Sequence, residues 1–184
     1  MKRSLFILSL FTLLYSTAGA QGTDKPRAAE DVLMDACRQA AREQKNVFVI
    51  FHASWCIWCR RMDTSMNDPS CKKFFQDNYV VVHLVTDESD KKKHLENPGG
   101  AEMKDRYHGK EKGLPYWVVL DNKASLLADS RMPGDDNTPG AGANTGCPAA
   151  ENEVNYFISV LKKTSSLDEA ALEIIRVRFR KNDL

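Results

Sequence analysis

Three features of the sequence predict an α/β fold in which helices cover the strands of one sheet. Three short runs rich in valine, isoleucine and aromatic residues, NVFVIFH at 46–52, YVVVHLVT at 79–86 and PYWVVL at 115–120, have the length and composition of buried strands. Around them, apolar residues recur at helical spacing. The third run leads through Asp121 and Asn122, read as a tight turn, into 124–130, so at least one strand pair is expected to be antiparallel.

The chain opens MKRSLFILSLFTLLYSTAGA. Lys2 and Arg3 precede an apolar run over 5–15, and Ala18 and Ala20 flank Gly19. This is the charge, core and cleavage pattern of a secretory signal peptide, with the cut expected after Ala20. The apolar run is far shorter than the roughly 18 to 20 residues that span a bilayer, so residues 1–20 are expected to be removed, leaving no span. The 164 residues that remain suit a single domain with one core. Losing Lys2 and Arg3 takes the basic count from 26 to 24 against 25 acidic residues. At that near-neutral charge, neither nucleic acid nor an anionic membrane is an expected partner.

Residues 21–28, polar and containing Pro26, are expected to form a disordered lead-in. Over 29–45, Leu33, Ala36, Cys37 and Ala40 fall on one side of a helix. The strand at 46–52 follows. A helix is expected to start near Cys56 and run toward Asn67, and Asp68 and Pro69 then restart it as cap and first helical residue, leading to Phe74 and Phe75. After the strand at 79–86, the charged stretch 87–93 reads as a solvated loop or helix edge, and 101–107 as a short helix. Four glycines and two prolines make 131–147 a long loop for a compact domain. Two helices close the chain at 149–163 and 167–181, the second opened by Ser166 and Glu169 at capping-box spacing. The expected organisation is one domain over 29–163 with an extra C-terminal helix in 164–184, packed on it or extending it.

The stretch FHASWCIWCRRM at 51–62 carries the chemistry. A helix beginning at Cys56 would aim unpaired backbone N–H groups and its positive dipole end at that sulfur, favouring the thiolate that attacks disulfides. Cys59, one turn later on the same side, could then resolve the mixed disulfide. Arg60 and Arg61 add positive charge. Half of a zinc site is a second reading, but zinc takes four ligands, commonly from two close pairs. Cys71 and Cys147 have no close second ligand, and His83 and His94 sit in different elements. Two inert buried thiols are a third reading, against which stand Trp55 and Trp58 at a strand-to-helix junction. In an exported chain disulfides can form and persist, and the cysteines number five, so Cys37, Cys71 and Cys147 cannot all pair if Cys56 and Cys59 do. Cys37 is read as a small core residue.

FHASWCIWC after a buried strand, with GLPYWVVLDNKASLLA downstream, resembles the thioredoxin superfamily, in particular exported bacterial thioredoxin-like proteins, over roughly residues 29–163. The resemblance implies a thioredoxin fold, with a central mixed sheet flanked by helices, and thiol-disulfide oxidoreductase activity without a cofactor or metal. It implies that Cys56 is the exposed nucleophile and Cys59 the buried resolving cysteine. It also matches Trp55 to the tryptophan before the pair and Pro115 to a cis-proline that leaves the Leu114 backbone free for an incoming peptide. Trp58, Leu114 and Tyr116 complete the expected substrate-binding surface. The sequence departs from thioredoxin at Ile50, where that protein has a buried aspartate. His83 is a candidate substitute proton acceptor, with His52 nearer in sequence. Ile57 and Trp58 replace Gly-Pro between the cysteines, which leaves direction open, while Leu114 before the proline leans toward the reducing members.

The sequence thus reads as an exported thiol-disulfide oxidoreductase exchanging a Cys56–Cys59 pair with thiols or disulfides of protein substrates and with a redox partner it does not identify. The periplasm is favoured over the endoplasmic-reticulum lumen, which the C-terminal KNDL keeps open. A non-catalytic peptide-binding module is the main alternative, and metal delivery lacks a supporting methionine or histidine cluster.

Overall fold

The computed structural model of the protein describes residues 25–183. The expected signal peptide lies outside them, as does the first half of the expected lead-in, 21–24. Residues 25–28 are described: the Arg27 side chain pairs with Asp35, and its carbonyl accepts from Asn97 Nδ2 at 2.7 Å.

Four strands, β1 (Asn46–His52), β2 (Tyr79–Val85), β3 (Tyr116–Leu120) and β4 (Leu126–Asp129), form a mixed sheet in the order β2-β1-β3-β4. β1 runs parallel to β2 and antiparallel to β3, and β3 pairs antiparallel with β4. β1 lies inside the sheet and is covered on both faces, which is why its five middle residues are an unbroken apolar run rather than an alternation. Because successive side chains point to opposite faces, β1 serves two cores. Phe48 and Ile50 join Trp117 and Val119 of β3 on one face, under α2 (Ile57–Met66), α3 (Lys72–Asn78), α5 (Glu151–Thr164) and α6 (Glu169–Arg180). Val47, Val49 and Phe51 join Tyr116, Val118 and Leu120 on the other, under α1 (Ala29–Glu43) and α4 (Gly100–Arg106).

The extra C-terminal helix is part of the first core. Leu172, Ile175 and Phe179 are buried there, and the Phe157 and Phe179 rings lie 4.8 Å apart between centroids. No helix among the described residues is long and apolar enough to cross a membrane.

Local chemistry moved several expected boundaries. Asp68 does not open a helix. Its carboxylate closes a turn by accepting from the Ser70 N–H at 3.0 Å and the Ser70 hydroxyl at 2.6 Å, and α3 begins only after Cys71. Asp168, not Ser166, caps α6 by accepting from the Ala171 N–H at 2.8 Å, while Ser166 donates to Asn78 Oδ1. A carboxylate one residue from the helix suits its positive end, leaving the serine free for a tertiary contact. The turn after β3 is longer than two residues: Asp121 Oδ1 accepts from the N–H groups of Lys123 and Ser125, with Ala124 in the left-handed region at φ 63°.

Candidate active site

Parallel pairing of β1 and β2 brings their C-terminal ends together, with His52 in register with Val85. The chain leaving β1 turns through Ala53, whose carbonyl accepts from the Cys56 N–H at 3.1 Å, and enters α2. Cys56 is the N-cap of α2, and its Sγ accepts from the Cys59 N–H at 3.1 Å. Cys56 and Cys59 are joined as a disulfide. The first sulfur therefore sits where the helix presents unpaired N–H groups and partial positive charge, an arrangement that stabilises a thiolate.

Both cysteines are 2% exposed and pack against Ala53 and Leu114. In the disulfide state Cys56 is thus not the more exposed of the two, contrary to expectation. The sulfurs differ in position instead, one capping the helix and the other inside its first turn. Around the pair stand apolar side chains that are open to solvent, with Trp55 and Ile57 56% and Trp58 43% exposed. The Arg61 guanidinium lies 4.5 Å from the centroid of the Trp58 ring, a cation–π contact. The Arg60 Nη1 donates to the Ser54 carbonyl at 3.1 Å, arching back over the loop before the pair.

Leu114 is half-buried against the disulfide, and the Leu114–Pro115 peptide bond is cis. Asn144, from the long loop, holds this turn by donating to the Gly113 carbonyl at 2.8 Å and the Pro115 carbonyl at 3.2 Å. A cavity of about 310 Å³ lies alongside, lined in part by Trp58, Leu114 and Cys147. Tyr116 does not belong to this surface. It is fully buried, and its hydroxyl donates to the Tyr107 carbonyl at 2.7 Å. Every residue of β3 is covered, and Tyr116 points to the α1 face.

His83 stands opposite Ile50 in the β1–β2 register, but its Nε2 is engaged with Asp63 Oδ1 at 2.7 Å. No hydrogen bond among the described residues joins it to either sulfur. Its ring meets that of His52 edge-on at 5.4 Å, and burial, followed by the neighbouring His83, pushes the His52 pKa down. Of the remaining thiols, Cys71 and Cys147 are buried and Cys37 half-buried. Burial raises the pKa of all three, that of Cys147 to about 12.

Sequence reasoning missed the group that anchors the loop before the pair. Glu88 lies in a stretch expected to be solvated, yet it is 4% exposed. Its carboxylate accepts from the Ser54 N–H and, at 3.0 Å, from the Ser54 hydroxyl, to which Lys92 also donates. Next to it, the Asp87 carbonyl accepts from Trp55 Nε1 at 2.9 Å, and the Asp87 carboxylate pairs with the buried ammonium of Lys104. The signal was the parallel pairing, which sets residues 86–88 beside 53–55.

A family model described as thioredoxin-like matches residues 28–122. No curated protein matches the chain. Among solved structures, a disulphide isomerase from Xylella fastidiosa Temecula1 aligns with a TM-score of 0.52 at 15% identity, over 81% of this chain and 99% of that one. A DsbH oxidoreductase aligns with a TM-score of 0.41 at 21% identity, over 84% of this chain and 95% of that one. A thioredoxin from Thermus thermophilus aligns with a TM-score of 0.41 at 24% identity, over 57% of this chain and 74% of that one. At 15% identity the first of these shows a likeness of fold alone.

Proposed function

Because the chain belongs to the thioredoxin-like family, whose model covers more than half of it, we propose that it is an exported thiol-disulfide oxidoreductase acting on cysteines of other proteins through Cys56 and Cys59. The observation that carries this reading is the Cys56 sulfur at the cap of α2, bonded to Cys59 and bordered by exposed tryptophans and the Leu114–Pro115 turn.

In the reduced protein, the Cys56 thiolate attacks one sulfur of a substrate disulfide. That S–S bond breaks, a mixed disulfide forms, and the substrate's other sulfur leaves as a thiolate. Cys59 then gives up its proton and attacks the Cys56 sulfur, expelling the second substrate sulfur and closing the Cys56–Cys59 bond. Two electrons pass to the substrate. The oxidised pair is the product of this sequence and the starting point of its reverse. The resemblance of Leu114, before the proline, to the residue there in the reducing members of the family leans the proposed working direction toward reduction of the substrate. Trp55, Trp58, Leu114 and Pro115 supply the surface against which an extended substrate segment lies. Export rests on the signal-like pattern of residues 1–20.

Two measurements test the proposal. The protein should reduce insulin at a rate that depends on the dithiol, where a mere peptide binder would show none. Cys59→Ser should accumulate mixed disulfides with cellular proteins, since the first attack survives and resolution is lost. Equal trapping by Cys56→Ser would reverse the assigned order of attack.

A further inference from the structure

A groove of about 590 Å³ opens between α2 and the end of α6. It begins at Ile57, the residue after Cys56, and its lining carries Arg60, Arg61, Arg178 and Lys181 against a single carboxylate, Asp68. A chain with 26 basic and 25 acidic residues has no general surplus of positive charge, so this is a local concentration.

Asp68 is already committed to Arg178, which it meets at 2.7 Å. Arg60, Arg61 and Lys181 have no carboxylate partner among the described residues. The two arginines are nonetheless held in place by neutral groups. Arg60 donates to the Ser54 carbonyl at 3.1 Å, and Arg61 donates to the Asn182 carbonyl at 3.1 Å while resting on the Trp58 ring. Each guanidinium has further N–H donors beyond the one it uses. Pre-oriented cations without counter-charges are what a carboxylate-bearing partner would find useful, because the cost of ordering them is already met.

We propose that this groove receives an acidic segment flanking the reacting cysteine of the protein partner, so that the Cys56–Cys59 pair prefers partners with glutamate or aspartate near that cysteine. The proposal rests on the thiol-disulfide reading of the pair. Its reach follows from helix geometry. From Ile57 to Thr64, α2 rises about 10 Å, the length of about three extended residues. The acidic residues therefore belong within about four positions of the partner's cysteine.

The test uses the reduced full chain and two symmetric disulfide-linked peptides that are identical except for Glu-Glu or Lys-Lys at the second and third positions from cysteine. Oxidation of the protein is followed by tryptophan fluorescence. Each rate is divided by that of the same peptide with dithiothreitol, which removes the peptide's own electrostatics. With three unpaired cations of surface strength, the normalised rate should favour the acidic peptide about tenfold at low ionic strength. The ratio should collapse toward one in about 1 M salt, where the screening length is about 3 Å, and Lys181→Glu should lower it severalfold. A ratio of one or below in the unaltered protein, or one that Lys181→Glu leaves unchanged, would overturn the proposal. If neither peptide is reduced, it is the dithiol reading that fails. The groove is then decided by fluorescence anisotropy with labelled peptides carrying serine for cysteine: tighter binding of the Glu-Glu peptide supports it, and equal or weaker binding refutes it.

Discussion

Replacing Glu88 by alanine should loosen the loop that carries Trp55 and lower the stability of the domain by about 2 kcal/mol. The carboxylate is buried and accepts from both the N–H and the hydroxyl of Ser54. Hydrogen bonds to a charged acceptor are worth about 1.5 to 3 kcal/mol each. Two circumstances bring the total below the simple sum of about 3 to 6 kcal/mol for two such bonds. Ser54 is exposed, so water can reach it once the carboxylate is gone, and Lys92 still donates to its hydroxyl. For a chain of this length, about 2 kcal/mol corresponds to a fall in Tm of roughly 4 to 8 °C. Urea denaturation gives the stability change, and hydrogen exchange locates it, since the Ser54 amide should lose protection more than amides of the central strand do. Glu88→Gln keeps an acceptor for the Ser54 N–H and should cost about half as much. A loss below about 0.5 kcal/mol in the alanine variant, or a Ser54 amide that exchanges no faster, would show that Glu88 is a bystander.

Three other outcomes follow from the geometry. In the reduced protein at neutral pH, brief alkylation followed by mass spectrometry should find Cys56 modified ahead of Cys59, because only Cys56 caps the helix; the opposite order would exchange their roles. Cys71 and Cys147 should resist a thiol reagent at pH 8 in the native state and react once the protein is unfolded in urea, since burial raises both pKa values; fast labelling of native Cys147 would contradict its enclosure. The bonds from Ser70, then the ion pair with Arg178, lower the Asp68 pKa to about 2. The folded value lies below the unfolded one, near 3.9, so the stabilisation is present above pH 4 and is lost as pH falls toward 2. Asp68→Asn should therefore flatten the acid limb of stability in that window, and an unchanged limb in acid titrations would refute the assignment.

β1 was legible to the residue because it is covered on both faces, so its composition alone marks it. The dithiol was equally legible, since its cysteines lie three positions apart across a strand-to-helix junction. What the sequence concealed depends on groups that meet only in the folded chain. A glutamate in a run of charges is ordinarily solvated, and nothing within 87–93 announces that Glu88 turns inward to Ser54. Tyr116 follows Pro115 directly, and its neighbourhood suggested a surface role that the coverage of β3 denies it. The caps failed for a related reason: at 68–70 and 166–169 several short polar side chains compete for the same N–H groups, and tertiary contacts such as Ser166 with Asn78 decide between them.

Asn182 lies just beyond α6, under the helix that carries the dithiol. Its side chain accepts from Ser65 Oγ at 2.9 Å, 117 positions away, and donates to the Pro148 carbonyl at 3.1 Å, while its backbone carbonyl accepts from Arg61. The segment matched by the family model ends at residue 122, so it contains both cysteines but none of this underpinning. A chain still being made, or cut back to the familiar length, would already hold a complete CxxC sequence while α2 lacked its support and Phe48 and Trp117 lacked the cover of α5 and α6. Oxidation chemistry could begin in such a fragment before its helix was held in place. The dithiol here is therefore not a portable cassette, and its fully supported state is reached only once residues near 180 are folded against it.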